Sequence, residues 1–168
     1  KNAALINEGN TNLEIQSNVE QDEFVLVRTK TQEEAADEVC RIFCELVQQH
    51  GVEHVQILSP FRTDGMASSG QLNQAIREIV NPDSPDLKVG GNYFRLNDKV
   101  MQNKNNGKAS NGDIGFIRKI SRNEHGELKI TIVFSDSRVV EYGLADMEHI
   151  ELAYATTIHK AMGSEFEV

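Results

Sequence analysis

"DKVMQNKNNGKASNGDIGFIRKIS", Asp98–Ser121, sets two short apolar runs on either side of a loop rich in asparagine, glycine and lysine. Neither run is long enough for a helix, and the turn formers between them favour strand, loop, strand. Asn111, Gly112 and Asp113 read as turn residues, and Gly115 as relief of crowding where the second strand starts. The same grammar continues in "LKITIVF" (Leu128–Phe134), "RVVEYG" (Arg138–Gly143) and "IELAYA" (Ile150–Ala155). Ile130, Ile132 and Phe134 share one face, with Lys129, Thr131 and Val133 on the other. Five short strands within about sixty residues predict a small, strongly curved β-barrel.

Upstream of Asp86 the pattern is different. "EFVLVRT" (Glu23–Thr29) and "VEHVQILSP" (Val52–Pro60) suit buried strands. Between them lies a helical pattern with Thr31 and Glu34 at capping-box spacing and Gly51 as its stop. Its buried stripe is Ala36, Val39, Cys40, Phe43, Leu46 and Val47. "QLNQAIREIV" (Gln71–Val80) is a second amphipathic helix, on Leu72, Ala75, Ile76, Ile79 and Val80, and "NPDSPD" ends it. Strand, helix, strand, helix predicts a parallel α/β layer, with the barrel inserted before its next strand. Residues 1–22 are polar, apart from "AALINEGN", a short helix ended by Gly9.

The 168 residues are 39% hydrophobic and 26% charged, as in a globular domain. No apolar run is long enough to cross a bilayer and no leader opens the chain, so a cytoplasmic protein without a membrane partner is expected. Cys40 and Cys44 read as core thiols rather than metal ligands. The net charge of −9 hides an asymmetry. Residues 88–122 hold eight basic side chains against Asp98 and Asp113, a local excess that phosphate contact requires. Lys104, Lys108, Arg118 and Lys119 are the candidates there. Tyr93 and Phe94 have rings that stack on bases, but burial in the barrel is expected of both.

No GxxxxGK[ST] loop, HExxH, cysteine–histidine set or GxSxG elbow occurs, so neither a catalytic residue nor a metal site is expected within the chain. Chemistry-bearing residues concentrate instead in "ATTIHKAMGSEF", Ala155–Phe166. A ligand in an open α/β sheet sits beyond the carboxyl ends of the strands. Thr156 and Thr157 offer hydroxyls and amides there, His159 and Lys160 longer donors, and Gly163 a close backbone approach. The Glu165 carboxylate suits a ribose hydroxyl. Spacing alone favours a plainer reading, a helix with threonine caps and a glycine stop.

"LAYATTIHKAMGSEFEV" closely resembles motif V of the RecD-like DNA helicases. "VQILSPFRTDGMASSGQLNQAIREIVNP" and "LNDKVMQNKNNGKASNGDIGFI" resemble two further segments of that family, in the family's order, and "AALINEGN" resembles the helix after its motif IV. The resemblance implies a partial RecA-like, P-loop-NTPase-type motor domain with parallel strands, at residues 1–87 and 150–168. An SH3-like β-barrel would be inserted at 88–149. It further implies ATP-dependent, 5′-to-3′ movement along single-stranded DNA, with ATP and Mg2+ as cofactors of the whole protein. Carried over residue by residue, Thr156, Thr157 and His159 contact DNA, and Gly163 and Glu165 face the nucleotide. Ser59, Pro60 and Arg62 match a segment beside the DNA groove.

Met162 departs from the family, where many relatives carry glutamine. The phosphate loop, the Asp-Glu magnesium motif and the arginine-bearing motifs are missing as well. The expectation is therefore a piece of a longer helicase, inactive as an ATPase alone. Its parent would be a helicase–nuclease subunit such as the exodeoxyribonuclease V alpha subunit, a free-standing helicase, or a relaxase motor. The rival expectation is a non-enzymatic adaptor whose barrel docks a protein partner.

Overall fold

A computed structural model describes residues 7–9 and 25–162, in two units divided after Thr31. In the first unit, Asn7–Gly9 close a helical turn in which Gly9 takes φ 72°. The rest of that expected helix lies outside the described residues, as do Glu23 and Phe24. Val25–Thr29, expected as a strand, joins no β-ladder among the described residues. A β-strand exists only as paired backbone, and an apolar run does not supply the pairing.

The second unit opens with α1 (Gln32–His50), which stops where Gly51 turns to φ 88° and its amide bonds the Val47 carbonyl at 2.9 Å. Then come β1 (Ile57–Ser59), α2 (Ser69–Val80), the β2 (Leu87–Val89) and β3 (Asn92–Phe94) hairpin, and β4 (Lys99–Gln102). β5 (Ile114–Arg122), β6 (Leu128–Phe134), β7 (Val139–Tyr142) and a 3-10 turn (Asp146–His149) follow. The described chain ends with β8 (Ile150–Leu152), β9 (Ala155–Thr157) and the short α3 (Ile158–Ala161).

β1 and β9 pair in parallel, from Ile57 opposite Ala155 to Ser59 opposite Thr157. Phe43 of α1 and Ile76 of α2 pack with Val55 and Tyr154 beneath this pair. Leu72 and Ile76 of α2 are buried as expected, but Ala75 and Ile79 face outward and Asn73 and Arg77 face inward. Their partners explain the difference. The Asn73 amide receives the Ala155 N–H at 2.9 Å and donates to the Ala155 carbonyl at 2.8 Å, so it acts as a neighbouring strand would. Arg77 donates to the Tyr93 carbonyl at 2.9 Å and thereby fixes the hairpin against the helix.

Five strands form one antiparallel sheet in the order β7-β6-β5-β4-β8. Ile130, Ile132 and Phe134 point into its core, as the alternation predicts, together with Ile117, Tyr142 and Met147. Val89 and Phe94 of the hairpin close over the same core. "IELAYA" is not one strand. Ile150–Leu152 pair with β4, while Ala155 onward pairs with β1. The break falls where the Ala153 amide bonds the Lys99 carbonyl at 2.9 Å and the Tyr154 carbonyl accepts from the Ile57 amide at 3.2 Å.

Gly115 sits where β5 crosses close to β6. A Cβ there would lie 2.6 Å from the Val133 carbonyl oxygen and 2.9 Å from the Phe134 Cα, distances that only glycine avoids. The loop before it is built on side-chain acceptors. Asn106 accepts from the amides of Lys108 and Ala109, Asn105 from Asn111, and Asp113 from Ser110. A β-bulge between Ile117 and Lys119 leaves Arg118 outside the ladder.

Candidate nucleic-acid interface

The parallel pair ends at Ser59 and Thr157, and beyond these ends the chain turns away in two directions. After β1 it makes a tight turn. The Ser59 hydroxyl donates to the Ala67 carbonyl at 2.7 Å and receives the Phe61 amide at 3.2 Å. Ser59 is buried, so it shapes this turn instead of offering a free donor. The turn leads into α2, whose first amides all have partners: Ser69 with Phe61, Gly70 with Arg62, Leu72 with Ser68, and Gln71 with the Ser68 hydroxyl. A Cβ on Gly70 would stand 3.0 Å from the Arg62 carbonyl, so the glycine permits this approach. With its amides taken, the helix start has no N–H left for an anion, and any phosphate must be held by side chains.

A groove of about 260 Å³ opens there, lined by Arg62, Asn73, Tyr93, Glu151, Thr156, Thr157 and Lys160 among others. Thr156 is 3% exposed, and its hydroxyl has no hydrogen-bond partner. The Thr157 hydroxyl accepts the Lys160 amide at 3.4 Å as the cap of α3, which leaves its own proton to donate. Lys160 bonds the Glu151 carboxylate, and Arg62 reaches the other oxygen of the same carboxylate at 3.4 Å. Tyr93, expected in the barrel, is exposed on the groove wall, with the Lys88 ammonium 5.7 Å from its ring. Its neighbour Phe94 takes the buried face of β3, since adjacent strand residues point opposite ways.

The sequence-derived candidates thus separate into groups. Arg62, Thr156 and Thr157 line one groove; His159 is exposed on α3 and does not line it. Lys104, Lys108, Arg118 and Lys119 are exposed on the five-stranded sheet and its loop. Lys108 reaches the Glu141 carbonyl at 3.3 Å. The Arg118 guanidinium lies 4.7 Å from the Phe116 ring centre and lines a separate hollow of about 610 Å³. Gly163 and Glu165 lie outside the described residues.

Two members of the basic stretch serve the fold. Arg95 pairs with Asp86 and Glu78, both at 2.9 Å, and donates to the Asn81 carbonyl. Lys99 is buried and donates to the carbonyls of Val52 and Val55. Burial pushes the Cys40 and Cys44 thiols up, so both remain protonated at neutral pH. Among the described residues no cluster of histidine, cysteine and acid side chains could hold a metal ion, and no helix is long and apolar enough to cross a membrane. Asn73, Tyr93, Glu151 and Lys160 complete the groove; of these the sequence singles out Lys160 as a donor and Tyr93 as a ring expected to be buried, but neither Asn73 nor Glu151. Lys160 and Tyr93 carry a chemical signal in the sequence; Asn73 and Glu151 acquire their place only through pairing across the chain.

Residues 72–134 match the family described as the SH3 domain of ATP-dependent RecD-like DNA helicases. That stretch runs from within α2 to the end of β6, and β7 and β8 complete the sheet beyond it. Over 114 residues the chain is 32% identical to the ATP-dependent RecD2 DNA helicase of Deinococcus radiodurans, covering 67% of this chain and 15% of that protein. An uncharacterized protein of Methanocaldococcus jannaschii is 30% identical over 141 residues, covering 68% of this chain and 12% of its own length. The chain therefore spans a small part of the relatives it matches. The SH3 domain and the sequence around it place this chain in the RecD-like DNA helicase family.

Proposed function

We propose that the chain is the part of an ATP-dependent, 5′-to-3′ DNA helicase that grips single-stranded DNA. In this reading residues 1–87 and 150–168 belong to the second RecA-like motor domain, and 88–149 form its inserted barrel. The observation that carries it is the groove at the carboxyl ends of β1 and β9. It brings Arg62, Thr156 and Thr157 together from positions almost a hundred residues apart, beside an exposed aromatic ring. Hydroxyls and cations suit phosphate oxygens, and the Tyr93 ring suits a base. Ser59 supports the turn beneath. Lys104, Lys108, Arg118 and Lys119 form a second contact surface on the barrel, and His159, exposed on α3 outside the groove, adds a further DNA contact.

ATP and Mg2+ would be bound by the whole protein, to which this chain contributes Gly163 and Glu165; the chain alone hydrolyses no ATP. Other helicase–nuclease subunits are candidate partners, as for an exodeoxyribonuclease V alpha subunit. A fluorescence-anisotropy titration of labelled oligo-dT tests the reading. The chain should bind weakly, with affinity falling as salt rises, because phosphate contacts release counterions. Changing Lys104, Lys108, Arg118 and Lys119 together to Ala should flatten the salt slope by roughly 0.7 for each phosphate that is no longer neutralised. Arg62→Ala with Thr156→Val should weaken binding about tenfold if roughly 1.4 kcal/mol of binding free energy is removed. Absence of binding even at low salt contradicts the reading and favours a protein-docking adaptor.

A further inference from the structure

We infer that Glu151 is a built-in stand-in for a phosphodiester: it occupies the subsite formed by Arg62 and Lys160, and a DNA backbone phosphate displaces it on binding. The inference rests on the single-stranded DNA reading above and goes beyond it, because it assigns one subsite, its internal occupant and the residue that limits its affinity.

Three observations carry it. Glu151 presents one negative charge spread over two oxygens, which is also the charge and shape of the two non-bridging oxygens of a phosphodiester. Each oxygen faces a different cation: one is bonded by Lys160, and the other lies 3.4 Å from Arg62. Thr156 lines the same groove, and its buried hydroxyl has no partner, an unusual state for a polar atom. The neighbouring amides of α2 are already bonded, so the subsite depends on these side chains alone.

The two cations are not equally committed. The Lys160 side chain is 24% exposed and held against Glu151, itself 26% exposed, whereas the Arg62 side chain is 67% exposed and touches the carboxylate at longer range. An incoming phosphate therefore meets Arg62 first and then takes Lys160 from Glu151. The carboxylate is left to rotate toward solvent from the edge strand β8. With Glu151 in place the three side chains sum to one positive charge. Without its charge they sum to two, and the subsite takes a phosphate without competition.

Oligo-dT titrations on the 168-residue chain, at low and moderate salt, test this with Glu151→Gln, Lys160→Ala and the double variant. Glu151→Gln keeps the size of the side chain and removes its charge. It should tighten binding several-fold and steepen the salt slope by up to about 0.7, the value for one more neutralised phosphate on single-stranded DNA. Lys160→Ala should abolish that gain in the double variant. An oligonucleotide with a neutral methylphosphonate backbone should show no difference between wild type and Glu151→Gln. Free ATP should leave the gain intact; displacement by ATP would reassign the subsite to a nucleotide and overturn the inference. Urea midpoints establish that each variant is folded. If wild type binds and a folded Glu151→Gln binds no tighter, the inference fails while the DNA reading stands. If neither binds at low salt, both fail.

Discussion

Replacing Asp98 by Ala is expected to remove about 4 kcal/mol of stability, near the upper end for a single substitution. Asp98 is fully buried at the start of β4. One carboxylate oxygen accepts from the Asn81 side-chain amide at 2.9 Å and the Tyr154 hydroxyl at 3.1 Å. The other accepts from the Arg95 backbone amide at 2.6 Å. These donors come from the end of α2, the residue before β9 and the exit of the β2–β3 hairpin, so one side chain ties the parallel pair to the five-stranded sheet. Alanine strands the buried Arg95 amide and Tyr154 hydroxyl and takes one of two acceptors from the half-buried Asn81 amide, which keeps the Leu96 carbonyl at 2.8 Å. Each buried donor without a partner costs about 1–3 kcal/mol, and the lost packing of the side chain adds to this. Asp98→Asn should cost less, but not nothing, because it turns an N–H toward the Arg95 amide. Urea unfolding followed by circular dichroism measures both. A loss below about 1 kcal/mol for Asp98→Ala would contradict the network's role, since that is the worth of an ordinary hydrogen bond.

The second large effect concerns pH. Burial pushes the Lys99 ammonium down to about 8 from its ordinary 10.5, and the Glu53 charge offsets only part of this. Below pH 8 both folded and unfolded chains carry the proton, and the cost of burying the charge is fully present. Between about 8 and 10.5 the unfolded chain still holds a proton that the folded chain has released. The unfolded state then binds more protons, so stability rises with pH through this window. The neutral amine still donates to the Val52 and Val55 carbonyls. Unfolding free energies of wild type, measured against Lys99→Met as the non-titrating reference, should gain about 2 kcal/mol between pH 7 and 10. A difference that stays flat with pH would show that Lys99 keeps its ordinary basicity.

Asp98 and Lys99 also mark the limit of what the sequence reveals. The antiparallel strands are legible because Ile130, Ile132 and Phe134 alternate and because the Asn–Gly loop bounds its neighbours. Gly115 is legible as a crowded position, and the inward face of β6 follows from the alternation alone. Lys99 and Arg95 look like members of a basic surface, because charge counts carry no information about depth. Asn73 and Arg77 escape notice on the inner face of α2 because hydrophobic periodicity counts only apolar residues, while these two are buried by bonds to distant backbone. The break in "IELAYA" is hidden for a related reason. Its two halves are equally apolar, and only their partners, β4 and β1, distinguish them.

The site is legible to the extent that its residues lie in one continuous motif. Thr156 and Thr157 follow the end of an apolar run, and Arg62 belongs to a second recognisable segment. Glu151 gives no such signal. Its place beside Arg62 depends on the chain leaving the five-stranded sheet after β8, just where β9 joins β1, a geometry that no local pattern encodes.

Single-stranded DNA is proposed to lie across the carboxyl ends of β1 and β9. Amide-resolved NMR of the chain during titration with oligo-dT addresses it most directly. The largest shifts are expected on Arg62, Thr63, Gly70, Tyr93 and Thr156–Lys160, with smaller ones on the loop around Lys104 and Lys108. Shifts confined to the barrel, with the groove residues unmoved at saturation, would contradict it.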